Sequence, residues 1–434
     1  MAGTDLSIDE SLPMSPILLK LSALSMLTAL ITSGFASAPK WKPKDFPISF
    51  WCGPPEKDAT PERFKEIAEA GFNYTFPACE GPFTTEGNVK ILDGAKAAGI
   101  KAFIYEDEVP VAITGVPDAT KRLDAMVAAY SRHPALAGYF IMDEPSADKF
   151  AGLAEVVEYL RKKDPKHPAY INLWPNNAGA KRIGIASYNE YLKRFVEQVK
   201  PTFLSYDHYH WTKAGDRPGF TSNLQTVSNL ATEHKLDFWQ IILSLKHMEY
   251  KEPTETEMRC DAMHTLSFGG KGLMYFTYWT PPGKEFAEGE GFIDRTGKRT
   301  KRFEEVKRIN ADVKAIGKYL LNATHEMTYQ TGNVEPGVRP QPPDAPVRVE
   351  EGNVTVGIFR TIGMQYALIE NRDCNSPARV MATFNSTGQP IRRLNRQSAI
   401  WEHTQPESDP NHRRTVKIAV IPGDAELFVW SIRP

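Results

Sequence analysis

The sequence has almost no excess of either charge. Its 52 Lys and Arg stand against 53 Asp and Glu, a net charge of −1 over 434 residues. That balance builds no field to draw in nucleic acid or an anionic membrane, and it suits neutral partners such as carbohydrates better. Cysteine is scarce: there are four, and none of their spacings resembles a zinc site. No G-x-G-x-x-G follows the first predicted strand, where the sequence reads WCGPPEKDATPERF, so a dinucleotide-binding doubly wound sheet lacks its phosphate loop. A comfortable transmembrane run is missing too. The nearest is PILLKLSALSMLTALITSGFASA, residues 16–38, which ends in Ala36-Ser37-Ala38, a small-x-small pattern of the kind a signal peptidase cuts. Residues 1–38 are therefore expected to be a signal peptide, with translation beginning at Met14 because the stretch before it is acidic. A buried or anchoring helix is the alternative. Export to a periplasmic or extracellular location follows, with no membrane contact after cleavage and with disulfides permitted.

What is present begins at residue 46, where strands and helices alternate eight times. The predicted strands are Ile48–Cys52, Phe72–Ala78, Lys101–Tyr105, Ala137–Met142, Ala169–Trp174, Thr202–Tyr206, Asp237–Leu243 and Gly272–Tyr278, starting 24 to 36 residues apart. They read as near-continuous apolar runs, as strands buried on both faces should. The segments between them are amphipathic. In the first, Thr60 is placed to cap, Pro61 to open, Phe64, Ile67 and Ala68 to form the apolar stripe, and Gly71 to close. The eighth helix runs from Lys301 to about Leu321. Eight such units predict a (β/α)8 barrel over residues 39–324. From residue 325 to 434 short β-rich runs such as VTVGIFR, QYALIENR and AELFVWSI alternate with turn residues, predicting a small antiparallel β-sandwich. Asn333–Val347, with five prolines, reads as a linker or outer loop. Cys52 and Cys79 fall at matching heights on neighbouring strands, near disulfide range.

A barrel carries its active site where its strands end. Those ends hold Glu80; Glu106 and Glu108; Asp143 and Glu144; Trp174 and Asn176; Tyr206, Asp207, His208 and His210; Gln240 on strand 7; and Tyr278 with Trp279. Carboxylates and aromatic rings crowding one rim suit sugars. Glycosidic cleavage needs one carboxyl as proton donor and another as nucleophile or base, and rings stack on sugar faces. No cofactor is called for. The sharpest run is GYFIMDEPS, residues 138–146, in which an apolar strand leads directly into two carboxylates and a proline. Pro145 biases Glu144 toward extended geometry, and burial would keep its carboxyl protonated as a general acid requires. Alternatively, Asp143 or Ser146 caps the next helix and Glu144 is a surface charge. Strand alternation keeps Asp143 and Glu144 from both facing the barrel centre unless the strand bends.

This run resembles the strand-4 signature of the clan A glycoside hydrolases, where Asn-Glu-Pro carries the acid/base Glu; Asp143 stands in place of the Asn. FKEIAEAGFN at 64–73, HPALAGYFIMDEPS at 133–146 and LSFGGKGLMYFTYWTPP at 266–282 are similar to beta-galactosidase-like barrels. The resemblance covers residues 46–320. It implies that Glu144 is the proton donor and that Trp279, the strand-8 Trp, lines the sugar subsite beside the cleaved bond. It also implies a nucleophilic Glu at the end of strand 7, and there the sequence departs: FWQIILSLKHME offers no carboxylate before Glu249. Asp207 is the first candidate for the missing partner, followed by Glu106, Glu108 and Glu80. Asp143, Glu80, Glu106, Trp174, Asn176, Tyr206, His208, His210, Gln240, Tyr278 and Trp279 are expected to bind substrate.

Two rivals stand beside a glycosidase. A barrel lacking its strand-7 Glu could bind carbohydrate without cleaving it. A metal hydrolase could use Asp207, His208 and His210, since His-x-His side chains share a strand face. A second carboxylate within about 10 Å of Glu144, in the same cleft, separates catalysis from mere binding.

Overall fold

Eight parallel strands carry the expected cadence: β1 (Ile48–Phe50), β2 (Tyr74–Thr75), β3 (Lys101–Ile104), β4 (Leu136–Asp143), β5 (Ala169–Asn172), β6 (Leu204–Asp207), β7 (Phe238–Leu243) and β8 (Gly272–Phe276). The computed structural model describes residues 41–408 and 414–432, so the leader expected over residues 1–38 lies outside the described residues. Strands β2-β3-β4-β5 form one half of the barrel and β1-β8-β7-β6 the other. Parallel bridges Gly53↔Ala78 and Leu173↔Tyr206 join the halves on both sides. The sheet therefore closes into a barrel, and the open doubly wound alternative is excluded.

The two-residue period of each strand sorts its side chains. Tyr74, Phe76, Phe103, Tyr170, Phe203, Trp239 and Met274 point inward and fill the barrel. Trp239 stacks on Phe203 at 4.8 Å. Ile48, Phe50, Ile104, Leu204, Tyr206, Ile242 and Tyr275 point outward and pack beneath the helices. Those are α1 (Pro61–Glu69), α2 (Thr85–Ala97), α3 (Ala119–Tyr130), α4 (Phe150–Lys163), the short α5 (Ala180–Ile183), α6 (Tyr188–Val199), α7 (Phe220–His234), α8 (Glu255–Ser267) and α9 (Lys301–Leu320). In α1 the Thr60 hydroxyl accepts from Arg63 N at 3.3 Å, Pro61 opens the helix, and Gly71 follows at φ +88°.

Cys52 and Cys79 are joined in a disulfide, with Cα atoms 4.6 Å apart and a sequence separation of 27. It ties the end of β1 to the segment after β2. Closing a loop of that length is worth about 3–4 kcal/mol through the unfolded chain. Replacing both cysteines by serine should lower the denaturation free energy by about that amount, measured by urea titration. A change below about 1 kcal/mol would show that the bridge constrains little.

The described residues between 324 and 432 form two antiparallel sheets. One has the order β9 (Thr324–Gln330), β11 (Val354–Thr361), β12 (Met364–Asn371), β18 (Ala425–Ser431), β14 (Arg392–Asn395), β15 (Ile400–His403). The other runs β10 (Val347–Glu351), β13 (Ala378–Phe384), β17 (Arg414–Val420), β16 (Glu407–Ser408). Ala367, Ile369, Phe428 and Trp430 face the second sheet. Tyr366, Leu368, Leu427 and Val429 face the opposite way and join the cluster that packs the barrel helices. The larger sheet is thus a middle layer, which is why QYALIEN is nearly all buried although the strand is antiparallel. The described residues form one compact unit. The proline-rich Asn333–Val347 segment is an outer loop: Glu335 bonds Thr221, and Arg339 N donates to Gln225 Oε1 at 3.3 Å, both on α7.

Candidate active site

The strand ends surround a cavity of about 760 Å³. Its floor holds Asp143 and Glu144 from β4, Asn172 from β5 and Asp207 from β6. Two departures from a regular strand bring adjacent carboxyls into one cavity. The β4–β5 register shifts between Phe140 and Met142. Glu144 then takes a left-handed conformation, φ +45°, while its N–H still bonds Asn172 O at 2.9 Å. Extended geometry was expected at Glu144; the strand bends there instead, and a non-glycine residue held at positive φ marks local strain. The helix-cap alternative fails, since neither Asp143 nor Ser146 accepts a capping hydrogen bond.

Asn172 organises the floor. Its Nδ2 donates to Asp143 Oδ1 at 3.1 Å and to Asp207 Oδ1 at 2.8 Å, and its Oδ1 accepts from Ser205 at 3.2 Å. Glu144 and Asp207 are hydrogen-bonded to each other through their carboxyls. Two carboxylates cannot share such a contact unless one is protonated. Removal from water, then the charges of Asp207 and Asp143, push Glu144 up to about 10. Asp207, raised by burial but held down by Asn172 and by the Glu144 contact, comes to about 6. The hydrogen bond that Asn172 donates to Asp207 favours the ionised form there and leaves the shared proton to Glu144. Asp143 reaches solvent through the cavity mouth, yet the confining walls and then Asp207 raise it to about 7.

Aromatic walls complete the cavity: Trp51, Trp174, Tyr209, Tyr250 and Phe276. Arg182 lies over Trp174 at 5.2 Å. Arg217 lies over Tyr250 at 5.4 Å and pairs with Glu249 at 3.1 Å. At β7 the residue facing the cavity is Ile241, so the departure seen in the sequence is real. Glu249 reaches the wall from the following loop, but as the partner of Arg217.

Of the residues expected here, Glu144, Asp207, Asp143 and Trp174 come together. The others do not. Tyr206, His208, His210 and Gln240 are outward members of strands whose inward set is Asp207, Tyr209, Trp239 and Ile241. Tyr206 is buried under the helices. His208 Nδ1 meets Asn223 of α7 at 3.0 Å. His210 bridges Asp216 at 2.5 Å and Asp261 at 2.9 Å. Gln240 Oε1 accepts from Thr265 of α8 at 2.7 Å. The same parity turns both histidines away from Asp207 and removes the metal-hydrolase arrangement. Asn176 ties its loop to α7 through Asn223 and Gly219. Glu106 bonds Tyr130 and Thr85 between helices. Tyr278 stacks on Phe50 at 4.4 Å and donates to Glu66 at 2.9 Å. Glu80 and Trp279 line a separate cavity of about 400 Å³ beside the disulfide, and Arg63 lies over Trp279 at 5.1 Å. Trp51, Asn172, Tyr209 and Arg182 went unassigned. Asn172 and Tyr209 were findable, because they share parity with Trp174 and Asp207.

No family model and no curated protein matches the sequence. Solved structures do. The beta-galactosidase from Bacillus circulans sp. alkalophilus matches with TM-score 0.60 at 9% identity, covering 91% of this chain and 100% of that one. A glycoside hydrolase family 5 protein from Bacteroides vulgatus matches at 0.55 and 11% identity, over 90% of each chain. The chain has the fold of the glycoside hydrolase barrels. A third match, beta-galactosidase from the psychrophilic Marinomonas ef1, has TM-score 0.51 and 11% identity; 64% of this chain is covered, and it spans 62% of that relative's length. The likeness is one of fold, and Glu144 stands at the end of β4 in that fold.

Proposed function

We propose that the chain is a glycoside hydrolase in which Glu144 protonates the departing glycosidic oxygen and Asp207 is the second carboxylate. The observation that carries this reading is the proton-sharing contact of Glu144 with Asp207 inside an aromatic-walled cavity. It answers the objection raised by the missing strand-7 Glu, because β6 supplies a partner. A carboxyl pair in direct contact leaves no room for the water that an inverting pair holds open at about 6.5–9.5 Å, which favours the retaining course. Asp207 then attacks the anomeric carbon as the glycosidic C–O bond breaks and the Glu144 proton goes to the leaving oxygen. Water afterwards cleaves the glycosyl ester, giving its proton back to Glu144. Catalysis is assigned to residues 39–324 and an accessory role to residues 325–434. Export belongs to the same proposal, supported by the Cys52–Cys79 bridge and the leader-like residues 1–38.

The test is release of reducing sugar from a panel of plant and algal polysaccharides and aryl glycosides. Binding to a glycan with no cleavage of any member would instead favour a carbohydrate-binding barrel. Arg182 bears on specificity. It lines the cavity on the Trp174 face and, unlike Arg217, is in no carboxylate ion pair among the described residues, although its charge reaches Glu144. Arg182→Gln should raise KM about tenfold, the loss of one charge-assisted hydrogen bond, and leave kcat within a factor of about two. Equal losses in both constants would place Arg182 in the chemistry instead.

A further inference from the structure

Outside the cavity, the most unusual cluster lies where α8 meets the middle sheet. Cys260 and His264 stand one helical turn apart on the same face of α8. Glu370, on β12, shares the barrel-facing side of its strand with Tyr366 and Leu368, and is fully buried. Ligand atoms of Cys260, His264 and Glu370 all lie within 4.8 Å of one another. Cys374, just past β12, stands beside that trio, near enough for its thiol to act on that of Cys260. His264 Nδ1 is 2.7 Å from Glu370 Oε1 and 3.6 Å from Cys260 Sγ. His264 Nε2 and the Glu370 oxygens lack well-directed hydrogen bonds. An ion pair alone would account for His264 and Glu370. It would not account for two thiols brought to the same spot from two different elements.

We propose that Cys260, His264 and Glu370 are the preformed part of a structural zinc site fastening the C-terminal sheets to the barrel, with Cys374 drawn in as the fourth donor when the ion enters. Two thiolates, an imidazole and a carboxylate are the donors zinc takes in closed tetrahedral sites. The sulfur–nitrogen separation fits: bonds of about 2.3 Å and 2.05 Å at a tetrahedral angle put S and N about 3.6 Å apart. The nitrogen–oxygen edge needs about 3.3 Å, so the Glu370 carboxyl steps back when the ion enters. Cys374, half-buried, is the side of entry. The thiol protons leave to solvent on binding, and the remaining single negative charge faces Arg372, whose charge already acts on Glu370. Nothing in the linear spacing reveals the set, because Glu370 follows His264 by more than 100 residues.

The full chain, purified without chelator or dialysed against zinc and then against metal-free buffer, should carry about one zinc per molecule by elemental analysis. Cys374→Ser should lose it, as should Glu370→Gln. Should either variant fold poorly, cobalt added to the metal-free wild type gives an independent reading: thiolate-to-cobalt charge transfer in the near ultraviolet. Chelation should lower Tm and zinc restore it. Three results overturn the proposal: less than about 0.2 zinc per chain, cobalt without a thiolate band, or Cys260 and Cys374 failing to titrate as thiols in the denatured, unreduced protein because they are joined to each other.

Discussion

Glu144→Gln should lower kcat by about 10²–10⁴-fold on a substrate with a poor leaving group, the range a positioned general acid supplies. The loss should shrink on an aryl glycoside whose phenolate departs without a proton. That contrast separates a proton donor from a residue that merely shapes the cavity, which would depress both substrates alike. The wild-type kcat/KM should rise with pH as Asp207 ionises near 6 and fall only well above the ordinary glutamate range, where Glu144 gives up its proton. In the variant the alkaline limb should vanish. Stability should move the opposite way from activity. Folding raises the Glu144 pKa above the about 4.3 of an unfolded chain, so the native state gains from this group below that value and loses the gain as pH rises toward the folded value. Near neutrality the unfolded carboxyl is ionised and the folded one is not, which costs stability; glutamine removes the cost, and Tm at pH 7 should increase. A fall in both activity and Tm would mean that the variant is simply misfolded.

Asp207→Ala should be the more damaging change, on the order of 10⁴-fold or more in kcat, as when a nucleophile is deleted from a catalytic set. Azide should restore turnover, because the truncated side chain leaves room for a small anion at the anomeric carbon. The product should be a glycosyl azide of configuration opposite to the substrate. Absence of rescue, with the substrate still bound, would reduce Asp207 to a group that holds Glu144 and Asn172 in place. Asp143 would then be the next carboxyl to examine, being already tethered to Asn172.

The barrel was legible because its signal is redundant. Each βα unit repeats an apolar run, a cap and an amphipathic stretch, so an error at one boundary does not change the architecture. Glu144 was legible because strand, carboxylates and proline follow one another directly. The rest of the site was misread for one main reason. Proximity to a strand end does not mean facing the cavity, because each strand shows only every second side chain there. Accepting Asp207 as inward already commits Tyr206, His208 and His210 to the helix side, and points to Tyr209. The parity argument fails only where the backbone breaks its period. It does so at Glu144, whose left-handed φ follows a register shift that nothing in the residue types announces.

One feature of the middle sheet bears on how the chain reaches this state. Its order places β18, the final strand, between β12 and β14 near the sheet's centre. Helices α8 and α9 are synthesised more than 100 residues before the strand that completes the layer over them. Strands β11 and β12 can cover α8 earlier, but the part of the layer that Leu427 and Val429 supply stays open until β18 has emerged. Removing the final dozen residues does not trim an edge; it takes out the strand on which the sheet closes.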